Sequence, residues 1–206
     1  VGNSVRRVLL SSLEGTAVTS IKIEGVSHEF SSIPGITEDV AEIVLNIKKL
    51  ILRSHTRAPK TLRIEVDDKQ EITGKDIITD DTVEVINLSL HIATLNKNVP
   101  FRMELEVQKG RGYVPADRNK KEGQAVGVIA IDSIFTPIVK VNFHVEDTRV
   151  GQMTDYDKLI LEVWTNGSIS PKDAILYASN ILQRHLDVFV NFGKLPEEDL
   201  EQEPDM

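Results

Sequence analysis

Residues 1–13 read VGNSVRRVLLSSL and predict a short amphipathic helix at the start of the chain. Asn3 is a favourable N-cap residue and Glu14-Gly15 a favourable ending, so the pattern predicts a helix over Ser4–Leu13. A helix of this length is marginal by itself. We therefore expect it to pack against residues that are distant in the sequence, through one face that carries Val5, Val8, Leu9 and Ser12.

Two further elements are predicted in the front half of the chain. Alternation of apolar and polar residues over Ala17–Ile23 predicts a strand, and the following run Val26–Phe30 suggests that the two form a hairpin. Thr37 is then the expected N-cap of a second helix, with acidic residues in its first turn and lysines near its end. The apolar stripe of this helix is suited to packing on a sheet and consists of Val40, Ile43, Val44, Ile47, Leu50 and Ile51.

Residues 61–132 are predicted to be mostly β-structure. Apolar residues alternate with polar ones in three runs, which are Leu62, Ile64 and Val66; Leu88, Leu90 and Ile92; and Phe101, Met103, Leu105 and Val107. Two more strands are predicted at Val139–Val145 and Leu159–Thr165, separated by a charged segment and followed by a strong turn signal at Asn166-Gly167.

The closing helix is predicted over Pro171–Val190, with Ser170 as its N-cap and Pro171 at its first position. Its apolar face is about 140° wide or more, which is broader than packing on one sheet requires, so we expect part of it to contact a copy of the same chain. The order of the elements predicts an α+β fold in which one domain is interrupted by an insertion. We expect the closing strands and helix to pack against the opening helix.

The charge of the chain argues against a protein that binds duplex DNA through these residues. The sequence has 206 residues, with 24 Lys and Arg against 32 Asp and Glu, and six of the acids lie in residues 196–206. The remainder is close to neutral, whereas a DNA-binding surface depends on excess cations. Apolar runs are shorter than the roughly 20 residues of a membrane-spanning helix. Since the chain begins with valine and has no signal-peptide pattern, we expect it to start within a longer protein.

The sequence contains no motif for catalysis or for a cofactor. It has no cysteine, and its five histidines lack zinc-hydrolase spacing, so we expect neither a metal site nor any other cofactor. The glycine-rich stretch at residues 109–115 lacks the phosphate-loop pattern, and we interpret it as a tight turn with an exposed basic contact. Asp67-Asp68 and Asp80-Asp81 are interpreted as exposed loop acids.

Arg6 and Arg7 are the candidate recognition residues of the opening helix. Neighbours on a helix point about 100° apart, so one arginine can stay in water while the other reaches a partner's carboxylates or carbonyl groups. Leu10 lies off the apolar stripe beside Arg7 and is a candidate exposed anchor. On the residues alone, the simpler interpretation of solubilising charge on an amphipathic helix stays open.

Seven short segments occur in a recognisable order along the chain. They are GNSVRRVLLSSL (2–13), AVT (17–19), GVSHEFS (25–31), GITED (35–39), LNIK (45–48), GRGYVP (110–115) and TNGSI (165–169). In this order they resemble the N-terminal domain of the bacterial and plastid RNA polymerase alpha subunit. The resemblance covers nearly the whole chain, up to about Leu195.

The resemblance implies an assembly platform rather than a catalyst, that is, a non-catalytic subunit of a DNA-directed RNA polymerase (a nucleotidyltransferase). It implies a homodimer that gathers the two large subunits, beta and beta′. It also implies a discontinuous dimerisation subdomain, a sheet with two helices, over residues 1–14 and 138–195. An inserted β-rich subdomain with one helix would occupy residues 15–137, and residues 196–206 would form an acidic linker or tail.

Site residues are carried over from the family position by position. Arg7, Leu10 and Glu42 look like contacts with the beta subunit, and Lys48 looks like a contact with beta′ on the other protomer. The dimer interface would be supplied by the opening and closing helices through Val5, Val8, Leu9, Ile175, Ala178, Leu182 and Phe189.

Two features of the family are not found in these residues. The family has a strand pair before the Gly2-Asn3 motif, and beyond a linker it has a small helical domain that touches promoter DNA. We therefore assign no DNA-contacting residue here, and we expect a cytoplasmic protein that is associated with the nucleoid through the polymerase, or a plastid protein. The rival hypotheses are a stand-alone β-rich binding protein or enzyme with an unrecognised site, and a free-standing nucleic-acid-binding module.

Overall fold

The secondary structure comes from a computed structural model that describes residues 1–67, 70–96, 99–121, 123–151 and 153–192. The helices in these residues are α1 (Gly2–Ser11), α2 (Val40–Ile47), α3 (Ala116–Asn119) and α4 (Pro171–Val190). The strands are β1 (Glu14–Ile23), β2 (Leu52–Ser54), β3 (Lys60–Val66), β4 (Glu71–Thr73), β5 (Ile77–Ile78), β6 (Val83–Val85), β7 (His91–Thr94), β8 (Phe101–Arg111), β9 (Tyr113–Val114), β10 (Val128–Ala130), β11 (Ser133–Ile134), β12 (Ile138–Val150) and β13 (Met153–Thr165).

An antiparallel sheet with β1 and β8 at its centre forms the middle of the molecule. Its strand order is β5-β3-β8-β1-β2-β6, and β10 pairs with the far part of β1. One face of the sheet is buried under α2, which contributes Val40, Ile43 and Ile47. We call this cluster of buried side chains the large core. The alternation predicted for β3 and β8 is confirmed, because all of its apolar members are buried: Leu62, Ile64, Val66, Phe101, Met103, Leu105 and Val107.

A second cluster, the small core, joins the two ends of the chain. The long hairpin β12–β13 is covered by α1, and α4 packs on α1. Leu9 has no exposed surface and lies with Val141 and Ala174 in this cluster. Truncating a leucine buried in this way costs about 2–5 kcal/mol. The expectation that the opening helix packs on the closing strands and helix is confirmed.

The two places where the chain passes between the cores lie against each other. A Cβ atom on Gly15 would lie 1.7 Å from the carbonyl oxygen of Phe135, so only glycine fits at that point. Gly15 was expected to end the opening helix, but it lies within β1. The need for room beside the Phe135 backbone therefore explains the glycine at position 15 better than a helix end does.

The opening helix is shifted toward the N-terminus relative to the prediction. It begins at Gly2 rather than Ser4 and ends at Ser11 rather than Leu13, and its first residue is preceded by Val1, not by Asn3. Asn3 was predicted to be the N-cap but lies inside the helix. The shift arises because the Val1 carbonyl accepts a hydrogen bond from the Val5 amide at 3.0 Å, which adds a turn, while β1 begins at Glu14 and requires extended backbone.

The predicted hairpin of Ala17–Ile23 with Val26–Phe30 is wrong. Residues 26–30 form no strand, and the Phe30 side chain is exposed. The partners of β1 are instead β8 along one edge and β10 and β2 along the other. Both edges of β1 are therefore occupied by strands that are distant in the sequence, which a local turn signal cannot reveal.

The N-cap of α2 is Asp39 and not Thr37. The Asp39 carboxylate accepts the Glu42 amide at 2.7 Å, whereas the Thr37 amide donates to the Thr94 carbonyl at 3.0 Å. Leu50 and Ile51 lie beyond the end of the helix at Ile47. Thr37 is drawn into pairing with β7, which leaves the aspartate two residues later to satisfy the first amides.

The remaining differences concern strands. Of the predicted run Leu88, Leu90 and Ile92, only Ile92 lies in a strand, and Leu88 is exposed. The charged segment expected between the last two strands belongs to them, because β12 and β13 pair as far as Val150 and Met153.

The cap at Ser170 and the start of α4 at Pro171 are confirmed, with the Ser170 hydroxyl accepting the Asp173 amide at 3.1 Å. The acidic segment 196–206 and residues 193–195 lie outside the described residues.

Candidate interaction surfaces

The outward face of α1 carries the predicted recognition pair. Val5 and Leu9 point into the small core, and Arg7 and Leu10 lie one turn apart on the far side of the helix. Leu10 is 37% exposed, and Arg7 is exposed. Within the described residues, neither Arg6 nor Arg7 has a side-chain hydrogen bond or ion pair. This face therefore presents an unpaired guanidinium beside an apolar side chain, which suits a partner that offers carboxylate or carbonyl oxygens.

The buried side of α1 changes the predicted dimer interface. Val5, Leu9 and Ala178 were expected to contact a second copy, but all three are buried within one chain. They have almost no surface left to offer a partner, so their role is to hold α1 and α4 in place. Of the residues predicted for the interface, Val8, Ile175 and Leu182 are half-buried and Phe189 is exposed.

The face of α4 that packs inside one chain continues past the end of its own core. Ala174 and Ala178 are fully buried, and Ile181 and Leu182 are partly covered. Two to three turns further on, the same face carries His185 and Phe189, and Phe192 follows just past the end of the helix. Phe189 is 77% and Phe192 92% exposed, because α1 does not reach this far. The apolar face that is buried in the first half of α4 is therefore exposed to solvent in its last turns.

The helix α2 presents Glu42 and Leu45 to solvent, while Val40, Ile43 and Ile47 face the sheet. Leu45 is 56% exposed and lies three residues after Glu42, so the two share one face. A carboxylate and an apolar side chain therefore lie side by side on this helix, opposite in charge to the pair on α1.

Lys48, at the end of α2, is not free in solvent. Its Nζ atom lies 2.7 Å from Asp132 Oδ2, and Asp132 Oδ1 accepts the Ala116 amide at the start of α3 at 2.8 Å. The pKa of the Asp132 carboxyl is lowered below its ordinary value, mainly by the hydrogen bond from the Lys48 ammonium and next by the hydrogen bond from the Ala116 backbone amide. About a quarter of the Lys48 side chain (27%) is exposed, so only one side of it can meet a partner.

The start of α2 is fixed by a cluster around Glu38. One Glu38 oxygen accepts the Thr94 amide at 2.6 Å and the other lies 2.8 Å from His91 Nε2, while His91 Nδ1 lies 3.1 Å from Glu71. Burial raises the pKa of Glu38, but the bonds from Thr94 and His91 outweigh it, so the pKa is lower than usual. The bond to Glu38 raises the pKa of His91 against the effect of burial, and Glu71 adds to the rise. The cluster favours an ionised Glu38 and a protonated His91.

The metal-site and turn expectations from the sequence can also be compared with the described residues. No group of three or more His, Asp or Glu side chains there is arranged to hold a metal ion. The glycine-rich stretch runs through the end of β8 and into β9, with Gly112 at a φ of +64°, which agrees with a tight turn. Among the residues described, no helix is long and apolar enough to cross a membrane.

Comparison with known proteins gives the family. A family model described as "RNA polymerase Rpb3/RpoA insert domain" matches residues 21–136, more than half of the chain. The chain belongs to the bacterial RNA polymerase alpha subunit family. In this chain the matched segment contains most of the large core, from the end of β1 to β11. The α+β fold that the sequence predicted is also confirmed.

Relatives from three bacteria are named "DNA-directed RNA polymerase subunit alpha". The chain is 59% identical to the alpha subunit of Desulfitobacterium hafniense over 190 residues, which are 92% of this chain and 60% of the relative. It is 57% identical to that of Alkaliphilus oremlandii over 190 residues, with the same coverage. It is 57% identical to that of Carboxydothermus hydrogenoformans over 194 residues, 94% of this chain and 62% of the relative. The chain therefore spans about 60% of the length of these alpha subunits.

Several residues near these surfaces were not predicted from the sequence. Phe192 lies three residues after Phe189, just past the end of α4, and extending the helical spacing by one step would have found it. Asp132 carries no such signal, because it lies 84 residues from Lys48 and its partner is set by the fold. The same holds for Arg53, whose contacts cross between the two cores.

Proposed function

We propose that this chain is the N-terminal, non-catalytic part of an RNA polymerase alpha subunit that forms a homodimer and gathers the beta and beta′ subunits. The observation that carries the proposal is the uncovered apolar stripe at the end of α4. Exposed aromatic side chains that continue a buried face are typical of an interface with another chain. A second copy, related by two-fold symmetry, would place the same stripe from each chain against the other.

The two proposed subdomains correspond to the two cores. In the proposal, residues 1–14 and 138–195 form the dimerisation subdomain, and residues 15–137 form the insert. The small core is built from both ends of the chain, which supports this division. Dimer contacts come from exposed or half-buried residues of α1 and α4, namely Val8, Ile175, Leu182 and Phe189, and from Phe192 just after α4.

The large subunits bind the outward faces of the helices in this proposal. Arg7 and Leu10 on α1 contact beta, together with Glu42 on α2, and Lys48 contacts beta′ while paired with Asp132. Arg7 is exposed and has no ion pair with any residue that the structure describes, which supports its assignment, because such a guanidinium can form bidentate bonds without first breaking others. A cytoplasmic or plastid location, and the absence of DNA contacts from these residues, remain part of the same proposal.

The test uses the full-length subunit with its beta and beta′ partners. Size-exclusion chromatography with light scattering at low micromolar concentration should give twice the mass of the chain. Addition of beta and then beta′ should give a stepwise increase in mass. A clean monomer that still binds both large subunits would overturn the dimer, and a dimer that binds neither would overturn the scaffold role. Turnover of a small molecule by the alpha subunit alone would favour the rival enzyme hypothesis.

A further inference from the structure

The side chain of Arg53 crosses from the large core to the turn that precedes α4. Its Nε atom donates to the Ser168 carbonyl at 2.8 Å and its Nη2 atom to the Gly167 carbonyl at 3.3 Å. Its Nη1 atom lies 3.3 Å from a carboxylate oxygen of Glu84. All three guanidinium nitrogens are engaged, two of them with a segment more than 110 residues further along the chain.

The strand that carries Arg53 fixes the direction of its side chain. Leu52 and Ser54, its neighbours on β2, are both buried, and successive residues of a strand point to opposite sides. Arg53 therefore points away from the large core. Glu84 lies directly opposite it on β6 and forms a partly exposed ion pair with Arg53 Nη1 at 3.3 Å.

The turn is organised to present carbonyl groups to Arg53. The Asn166 side-chain oxygen accepts the Ser168 amide at 3.0 Å and the Ser168 hydroxyl at 2.7 Å, which closes the turn on itself. Gly167 has a φ of +96°, a conformation that favours glycine. Ser170, the N-cap of α4, follows two residues after this turn, so a shift of the turn would shift the helix.

We infer that Arg53 is a positioning residue that fixes the orientation of the large core relative to α1 and α4. The inference rests on the proposed function, in which one partner must meet surfaces on both cores at once. Arg7 and Leu10 lie on the small core, whereas Glu42 lies on α2 over the large core. A partner that spans them binds best when their relative orientation is already set, because less freedom is then lost on binding.

The experiment measures orientation and capture in the full-length subunit. Spin labels on cysteines introduced at Glu65, on the exposed side of β3, and at Lys172, at the start of α4, report the distance between the cores. The 206 residues contain no other cysteine, and dilution with unlabelled chain removes distances between protomers. Arg53→Ala should broaden the distance distribution and weaken capture of beta by about fivefold, as for a partly exposed charged interaction.

Two variants serve as comparisons. Arg53→Lys keeps the charge but cannot bond both carbonyls and Glu84 in the same planar arrangement, so it should give an intermediate broadening. Glu84→Gln leaves both carbonyl bonds in place, so the distance distribution and capture should stay close to those of the unaltered chain. Thermal unfolding is followed for each variant, and the milder lysine variant decides the matter if the alanine variant does not fold.

The outcomes separate this inference from the proposed function. If the unaltered subunit neither dimerises nor binds the large subunits, the proposed function fails whatever Arg53 does. If it assembles normally and Arg53→Ala leaves both the distance distribution and capture unchanged, the positioning role is overturned. Weaker capture with an unchanged distance distribution also overturns it, because Arg53 would then act by direct contact.

Discussion

Lys48 Nζ lies 2.7 Å from Asp132 Oδ2, although 84 residues separate the two in the chain. The same carboxylate holds the first amide of α3, so one aspartate ties the end of α2 to the β9–α3 segment. A lysine held in this way keeps a single direction, which differs from the flexible surface cation that the sequence alone suggests.

Asp132→Asn should lower the free energy of unfolding by about 1 kcal/mol at pH 7, because the ion pair is only partly covered. The pKa of this carboxyl is lowered in the folded chain, so its contribution is present above the unfolded-state pKa and is lost as the pH falls. Urea denaturation at neutral and acidic pH measures both effects. Asp117→Asn, at an exposed site that bonds only Lys120 within the described residues, should change stability by less than about 0.5 kcal/mol. An equal loss in both variants would contradict the role of Asp132.

Arg7→Ala should leave the dimer intact and weaken capture of beta by at least about thirtyfold, or roughly 2 kcal/mol, as expected for truncating a charged partner at an interface. Arg6→Ala is the matched control, because it removes the same charge from the same helix about 100° away. Light scattering reports the dimer, and pull-down titration with beta reports capture. Loss of the dimer in the Arg7 variant, or equal losses of capture in both, would show that the helix faces the other way.

Phe189→Ser should convert the subunit to a monomer at low micromolar concentration without lowering the unfolding temperature of the chain by more than a few degrees. The reason is that Phe189 is exposed in one chain and lies on the stripe proposed for the dimer. Leu176→Ser removes another exposed apolar side chain, 53% exposed, from the other side of α4 and should leave the dimer in place. A dimer that survives the first change, or is lost with the second, would place the interface elsewhere.

His91→Gln should destabilise the chain more at pH 6 than at pH 9. The pKa of His91 is raised by Glu38, so the stabilisation is complete below the unfolded-state value of 6.5 and is lost as the pH rises through the folded value. Among the described residues, the charged groups bonded to the ring are Glu38 and Glu71, and Glu38 stays ionised over this range because its own pKa is lowered. Urea titrations at the two pH values measure the difference. His55→Gln, at an exposed position, should show a smaller difference, and an equal one would contradict the cluster's role.

The sequence predicted most reliably where one local pattern determines the structure. Ser170 followed by Pro171 located the start of α4, and the alternation of Phe101, Met103 and Leu105 located β8, since capping and burial act within a few residues. It located the strand β1 but failed to identify its partners, and it failed at Thr37, because strands distant in the sequence take the hydrogen bonds that local signals assign elsewhere.

The residues of the candidate surfaces were also predicted correctly only where a local pattern determines their position. Helical spacing placed Arg7 and Leu10 on the outside of α1 correctly, because the spacing itself separates the faces. It could not show that Leu9 and Ala178 are already covered inside one chain, since both a core and an interface select apolar residues. The contacts of Arg53 depend on how the two cores pack against each other, which no local sequence pattern predicts.

The tight approach of Gly15 to Phe135 means that the polypeptide departs from the α1–β12–β13–α4 assembly and re-enters it at nearly one point. The entropy of closing a loop grows only slowly with its length, so what lies between these points can be enlarged, trimmed or exchanged with small thermodynamic consequence for the assembly itself. Such an arrangement lets the inserted part of the chain evolve at a different speed from the assembly that anchors it.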